Sequence, residues 1–281
     1  NTPKKCYIRP EGIGDGIFCE QDGFLIRMDL NFDCSLSTAY ENKSQIIRVL
    51  TENWVGKNIF CPNCGNNLTS HKNNKPVADF YCSVCNEDYE LKSKKNSMGK
   101  KIVDGAYSTM IERLQSSENP NFFFLNYDVK KFQVNNFIVI PKHFFTDEII
   151  EKRKPLSSTA KRAGWVGCNI LMQNIPESGK IYFVKNQQLE DKSVILNNWS
   201  KTLFLRKSEG EQKGWLIDIM FCIGKIGNKN FTLQEMYAFA PYLKTKYPNN
   251  NFIEDKIRQQ LQVLRDRGYL KFTSRGNYEV I

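Results

Sequence analysis

The sequence predicts an α/β domain with an embedded four-cysteine metal site, followed by a small domain of three helices and a hairpin. Helix-like and strand-like segments alternate up to about residue 205, as in a layered α/β fold. The composition turns polar at residues 205–213, and three helical patterns and two short strand patterns follow. The 281 residues suffice for two such domains. We expect the first at residues 28–208 and the second at residues 209–281.

The segment before the first domain has no sustained periodicity. Residues 1–27 are rich in glycine and contain no apolar run of the signal-peptide type. We expect a leader or a poorly ordered extension here, with Met28 as a possible natural start. A short hairpin around Asp22 and Gly23 is the alternative.

The first domain should begin with a helix from Ser37, because apolar residues then recur at spacings of three and four up to Val55. A second helix is predicted at residues 104–117. Continuous apolar runs bounded by polar residues are typical of buried strands. These runs lie at residues 122–125, 137–140 and 181–184. The order of helices and strands predicts a mixed sheet between helices.

The overall charge favours a polyanionic partner. Lysine and arginine total 40 against 30 acidic residues, a formal charge of +10. No segment approaches the roughly 18 uninterrupted apolar residues of a membrane span. We therefore expect a cytoplasmic protein that has no membrane partner. We also expect it to act as a monomer. Charge alone does not separate a nucleic-acid partner from an ordinary solvated basic surface.

Two Cys-x-x-Cys pairs, seventeen residues apart, predict a structural zinc site. Each pair presents two thiolates to one ion, and four thiolates complete a closed tetrahedral shell around Zn²⁺. The predicted ligands are Cys61, Cys64, Cys82 and Cys85. A shell without an open position gives the ion no catalytic role.

A second metal pattern is interleaved with the cysteines. Asp79 and Glu90 offer the hard oxygen ligands that suit Mg²⁺. Lys92 lies two residues after Glu90 and therefore faces the same side of a strand. Such a set can hydrolyse a phosphodiester. Taken alone the pattern is weak, but Lys94 and Lys95 follow it in a basic run that suits phosphate contacts as well as a solvated loop.

The second domain has the element order of a winged helix-turn-helix. Helices are predicted at residues 215–223, from a capping box at Thr232, and from about Asn251 to Gly268, with strands at 269–272 and 277–280. The third helix carries an apolar stripe and a polar face that suits base readout in the major groove. The predicted DNA-contacting residues are Lys256, Arg258, Gln259, Gln262 and Arg265, with Arg275 at the tip of the wing. A solvated polar face or a dimerisation surface is the alternative.

Several longer motifs carry a resemblance to a known family. They are the Asp79, Glu90-Leu91-Lys92 set threaded through the four cysteines, together with residues 104–107 (DGAY), 119–125 (NPNFFFL), 162–169 (RAGWVGCN) and 256–261 (KIRQQL). Over residues 28–281 the chain resembles the methyl-directed type II restriction endonucleases of the PD-(D/E)XK superfamily. The resemblance implies a PD-(D/E)XK nuclease core followed by a winged-helix domain.

The same resemblance implies the roles of individual residues. Asp79, Glu90 and Lys92 would be catalytic, and the backbone carbonyl of Leu91 would be a further Mg²⁺ ligand. The implied substrate is double-stranded DNA at GATC sites with methylated adenines. Trp165 would contact the methyl group, with Arg162 beside it on the DNA, although a tryptophan is by itself more often a core residue.

Two other functions remain open at this point. One is an endonuclease that cuts unmethylated GATC or another site. The other is a non-catalytic zinc and winged-helix transcription regulator, for which Asp79, Glu90 and Lys92 together would have no use.

Overall fold

The computed structural model describes residues 28–71, 78–116 and 119–281. The expected leader at residues 1–27, with its alternative hairpin, lies outside these residues. The α-helices in the described ranges are α1 (Lys43–Asn58), α2 (Tyr107–Gln115), α3 (Lys192–Ser200), α4 (Gly210–Ile226), α5 (Leu233–Tyr237), α6 (Ala240–Lys246) and α7 (Ile253–Asp266).

Strands fall into three sheets. They are β1 (Thr69–Ser70), β2 (Phe80–Tyr81), β3 (Asp88–Lys95), β4 (Lys101–Ala106), β5 (Asn121–Asp128), β6 (Gln133–Ile140), β7 (Ile150–Lys152), β8 (Gly167–Leu171), β9 (Ile181–Lys185), β10 (Gln188–Leu189), β11 (Asn230–Thr232), β12 (Leu270–Ser274) and β13 (Asn277–Val280).

The largest sheet has the strand order β1-β2-β3-β5-β6-β9-β10 and is mixed. Strands β3 and β5 are parallel, and the other neighbours are antiparallel. Phe123 and Phe137 face a core that includes Trp54 of α1 and Trp199 of α3. Alternate residues of β5 and β6 face a second core with α2. The predicted α/β arrangement and its three buried strands are thus confirmed.

A small sheet, β4-β8-β7, corrects the prediction of a helix over residues 104–117. Asp104 lies in β4 opposite Cys168 of β8, and the helix begins only at Tyr107. Pairing with a strand about sixty residues away along the chain outweighs the local helical pattern of these residues.

The first helix also begins later than predicted. Cys34–Ala39 forms a separate 3-10 helix, so Ser37 is not the start of the long helix. Helix α1 begins at Lys43, because the Asn42 side chain accepts a hydrogen bond from the Ser44 amide and caps it.

The C-terminal region contains the predicted helices and hairpin. Thr232 and Glu235 form the predicted capping box, but the second helix is split into α5 and α6, with Pro241 in the first turn of α6. Helix α7 begins after Phe252, without a side-chain cap, and ends at Asp266. Strand β11 joins the hairpin in a three-stranded sheet, β11-β13-β12.

One apolar cluster continues from the large sheet into the C-terminal helices. Phe144 and Leu205 belong to the same buried cluster as Trp215 of α4 and Leu261 of α7. The core therefore does not divide at residue 208, and the domain boundary there stays a prediction. Among the described helices, none combines the length and apolar character that crossing a bilayer requires.

Candidate active site

The hairpin of β2 and β3 brings the predicted catalytic residues together. Phe80 pairs with Tyr89, and continuing this antiparallel register places Asp79 opposite Glu90. The Asp79 Oδ2 atom accepts a hydrogen bond from the Leu91 amide at 2.7 Å. Asp79 and Glu90, which have ten residues between them in the sequence, thus lie side by side because a short turn connects β2 and β3.

The alternation of side chains along β3 gives its two faces different functions. Tyr89 is fully buried and stacks on Phe123 at a centroid distance of 4.6 Å. Glu90 and Lys92 point to the other side, where they line a cavity of about 650 Å³. Asp79 and Leu91 also line this cavity, which we call the Asp79 cavity. All three predicted catalytic side chains therefore meet at one open site.

The electrostatics of the Asp79 cavity suit a cation. Burial raises the pKa of Asp79, and the negative charges of Glu52 and Glu90 raise it further, while the bond from the Leu91 amide opposes them. The nearest cationic contact of Asp79 is Arg48 of α1, at 4.0 Å. A cluster of carboxylate oxygens with a neighbouring backbone carbonyl is the donor set that Mg²⁺ prefers. The residues present therefore fit this ion.

Lys92 is held by two carboxylates. Its Nζ lies 2.5 Å from Glu90 Oε1 and also contacts Asp104 of β4. Burial would lower the pKa of Lys92, but the negative charges of Glu90 and Asp104 outweigh it and raise that pKa. The amine is thus a charged group that can stabilise developing negative charge, and it is unsuited to act as a base.

Several residues around the cavity were missed from the sequence. Arg48 and Glu52 come from α1, Asp104 from β4, and Arg113 of α2 contacts Glu90 Oε2 at 2.5 Å. They lie 12 to 31 residues along the chain from the nearest predicted catalytic residue, so no local spacing signals them. Only the packing of α1, β4 and α2 around β3 brings them to the site.

The four predicted zinc ligands converge. Their sulfur atoms lie within 4.8 Å of one another. The Cys61 and Cys85 sulfurs, like those of Cys64 and Cys82, are 3.4 Å apart. Tetrahedral ligation with Zn–S bonds of about 2.3 Å requires sulfur separations of about 3.8 Å, so small shifts would complete a zinc shell.

The cysteine cluster connects the two walls of the Asp79 cavity. Cys61 lies three residues after the end of α1, whereas Cys82 and Cys85 lie in the turn between β2 and β3. The Cys61 sulfur also contacts the Tyr89 hydroxyl at 3.1 Å. A metal bound here would fix α1, with Arg48, relative to the hairpin that carries Asp79 and Glu90.

The two predicted phosphate-binding lysines differ in environment. Lys95 is exposed and lines the Asp79 cavity. The Lys94 ammonium donates to the carbonyls of Met98 and Lys101, both at 3.1 Å. Lys94 thus holds the turn between β3 and β4, and its phosphate contact stays a prediction.

Trp165 lies in the loop before β8 and is half-buried. The Arg162 guanidinium covers its ring at 4.5 Å. The ring also lies against Gly167, where an added Cβ would come within 2.8 Å of it. The roles of both residues on DNA stay predictions.

Helix α7 displays most of the predicted DNA-contacting residues. Gln259, Gln262 and Arg265 are exposed, and Arg275 is exposed at the hairpin tip. Arg258 is also exposed but bonds to Asp255 and to the Tyr237 hydroxyl.

Lys256 differs from the other residues of this set. It is only half-exposed, and its ammonium lies 5.9 Å from the centre of the Trp215 ring. The polar face of α7 is therefore present, and the base that each residue meets stays a prediction.

Two protein-family models match the chain, one over the region of the Asp79 cavity and one over the C-terminal region. A family model described as DpnI, the Dam-replacing family, matches residues 28–208 and so includes the Asp79 cavity and the four cysteines. A second model, described as the Dam-replacing HTH domain, matches residues 211–280 and so includes α7 and the hairpin. The first match alone covers more than half of the chain. The chain therefore belongs to the DpnI, or Dam-replacing, family and matches a methyl-directed restriction enzyme of that type.

Proposed function

We propose that this protein is a type II restriction endonuclease that cleaves double-stranded DNA at adenine-methylated GATC sites by Mg²⁺-dependent hydrolysis. The observation that carries the proposal is the meeting of Asp79, Glu90 and Lys92 at one cavity in a chain of this family. In this proposal residues 28–208 form a PD-(D/E)XK core with structural zinc, and residues 209–281 form a winged-helix reader.

Each cavity residue has a defined task in such a reaction. Asp79, Glu90 and the Leu91 carbonyl would hold the metal. When bound, Mg²⁺ would supply charge on the scissile phosphate and lower the pKa of the attacking water. The Lys92 ammonium, held in place by Glu90 and Asp104, would stabilise the negative charge that grows on the phosphate in the transition state.

The remaining cations would position the DNA. Arg48, Lys43 and Lys95 line the Asp79 cavity and would bind phosphates on either side of the cut. The exposed face of α7 would read bases in the major groove, and Trp165 would contact a methyl group. The cytoplasmic location and monomeric state expected from the sequence are part of this proposal.

Plasmid cleavage tests the proposal directly. Plasmid from an adenine-methylating host and from a non-methylating host is incubated with the protein, with Mg²⁺ or with EDTA. Cutting of methylated plasmid alone, only with Mg²⁺, and at GATC positions when the ends are mapped, supports the proposal.

Other outcomes identify the competing functions. Cleavage of unmethylated plasmid alone would replace the proposal by an enzyme for unmethylated DNA. Binding of DNA without any cleavage would favour a transcription regulator.

A pair of variants tests the assignment of the site. Asp79→Asn should abolish cleavage and leave DNA binding through α7 in place. Asp147→Asn removes an exposed aspartate of the same domain and should cleave as the unmodified protein does. Full cleavage by Asp79→Asn would overturn the assignment of the active site.

A further inference from the structure

Four charged side chains form a continuous series beside the Asp79 cavity. Arg113 contacts Glu90, Glu90 contacts Lys92, and Lys92 contacts Asp104. They come from three elements, α2, β3 and β4. Asp104 is the most deeply buried of the four, with 5% of its side chain exposed.

The burial of Asp104 implies a specific partner. A carboxylate taken out of water loses several kcal/mol of hydration unless a cation and hydrogen bonds compensate it. The Lys92 ammonium is the cation that contacts Asp104. Strand β4 holds Asp104 in position, because it pairs with β8 in a register that places Asp104 opposite Cys168.

Asp104 differs from the other carboxylates of the site in its position. Asp79, Glu90 and Glu52 line the Asp79 cavity, whereas Asp104 is not among the lining residues in the described structure. It contacts Lys92 from the protein side. This position suits a residue that acts through Lys92 and does not suit a metal ligand.

Binding of a cation would therefore affect the two carboxylates that contact Lys92, those of Glu90 and Asp104, in different ways. Glu90 would turn an oxygen to the cation, and the cation would compete with Lys92 for that carboxylate. Asp104, which lies outside the cavity, would keep its contact. The ammonium would then still be held at the position from which it faces the cavity.

We propose that Asp104 is a positioning residue that holds the Lys92 ammonium at the cavity when Glu90 binds the catalytic metal. This inference rests on the proposed nuclease function and assigns a role to a residue outside the Asp79, Glu90 and Lys92 set. It predicts an effect on the rate of cleavage with little effect on DNA binding.

The first test compares Asp104→Asn, which keeps the shape and removes the charge, with Asp104→Glu, which keeps the charge. Single-turnover cleavage of methylated DNA by saturating enzyme should slow about 10- to 100-fold in Asp104→Asn. This is the change in rate expected when one hydrogen bond between charged groups is lost. The enzyme concentration for half-maximal rate should change less than about 3-fold. Asp104→Glu should recover a large part of the rate.

A matched control separates this role from stability. Asp218→Asn removes another buried aspartate that contacts a lysine, Lys246, but it lies in α4 and does not line the Asp79 cavity. Asp218→Asn should lower the melting temperature and leave the cleavage rate of the folded enzyme unchanged. A normal cleavage rate in Asp104→Asn, or equal slowing in Asp104→Glu, would overturn the inference.

A second measurement does not depend on cleavage. Metal-free protein is treated briefly with an amine-acylating reagent at one pH, and modification of Lys92 is measured by mass spectrometry relative to the other lysines. Asp104→Asn should raise the modification of Lys92 at least several-fold, and unchanged modification would contradict the inference. If the unmodified protein cleaves no DNA, the proposed function itself fails, and the catalytic role of Asp104 fails with it.

Discussion

The Asp79 cavity and helix α7 present their polar and charged residues in different ways. Around the cavity the charges are paired with one another below the surface, as in the contacts of Lys92 with Glu90 and Asp104. On α7 the polar residues Gln259 and Gln262 are exposed, and an apolar stripe including Ile257 and Leu261 anchors the helix. Substitutions at the cavity should therefore change the rate of one chemical step, whereas substitutions on α7 should change affinity.

The largest effect should come from the metal site that supports the cavity. Cys61→Ser removes one of four zinc ligands between α1 and the β2–β3 hairpin. It should lower the free energy of unfolding by about 4 kcal/mol or more, because metal binding contributes directly to folding. Cys34→Ser, at an exposed cysteine outside the cluster, should leave stability unchanged. Denaturant unfolding of both variants, together with a measurement of their zinc content, checks this prediction. Full stability of Cys61→Ser would contradict a structural metal.

The next effect concerns the exposed face of α7. Gln259→Ala and Gln262→Ala should each weaken binding to the methylated site by about 1–3 kcal/mol, the contribution of a good base contact. The cleavage rate at saturating DNA should not change. Gln212→Ala, at an exposed glutamine of α4, is the control. Binding titrations with Ca²⁺ in place of Mg²⁺ measure the effect, and unchanged affinity in both variants would move base readout away from this face.

A smaller effect should come from the contact between Gly167 and the Trp165 ring. In Gly167→Ala the new Cβ would lie 2.8 Å from the Trp165 ring, which must therefore move. We expect overpacking to cost about 1–2 kcal/mol and the preference for methylated over unmethylated DNA to fall. Gly105→Ala, where an added Cβ meets nothing within 4 Å, is the control. Unchanged preference for methylated DNA in Gly167→Ala would argue against a role for Trp165 in sensing the methyl group.

The smallest effect is a pH dependence of stability that should come from His143. Burial, followed by the positive charge of Arg206, Lys213 and Lys142, keeps the pKa of His143 well below its usual value. Below pH about 6.5 the unfolded chain takes up a proton that the folded protein does not. The free energy of unfolding should therefore fall as the pH drops, by at most about 1.4 kcal/mol per pH unit.

Denaturant unfolding between pH 6.5 and 5.5 measures this slope, and His143→Gln should reduce it. Residues 209–281 contain no histidine, so no histidine of that region contributes to the dependence of the free energy of unfolding on pH. An equal slope in His143→Gln would show that another group is responsible.

The sequence was informative wherever a signal was local. The apolar runs predicted β5, β6 and β9, and the two Cys-x-x-Cys pairs predicted a cluster that the structure contains. The Asp79, Glu90 and Lys92 spacing predicted three residues that meet at one cavity, because a hairpin with known alternation connects them.

Features that depend on distant partners were not predictable in the same way. Strand β4 forms only because β8 pairs with it, so Asp104 was placed in a helix and its contact with Lys92 was missed. Arg48 reaches the cavity because α1 packs beside β3, and nothing in its own neighbourhood in the sequence indicates that. The start of α1 was placed too early, because Ser37 and Asn42 are both good capping residues and only the second is used.

The apolar cluster that passes from the sheet into α4 and α7 would determine how the two proposed DNA contacts cooperate. Leu205 and Trp215 are packed in one core. The effective concentration of the second proposed DNA contact would therefore be set by this fixed geometry and would not depend on the length of a flexible tether. If α7 and the Asp79 cavity both bind DNA as proposed, a duplex on α7 would meet the cavity at one offset and orientation, or the cavity would take a second duplex. Lengthening the connection at residues 208–210 should leave this offset unchanged as long as the core remains intact.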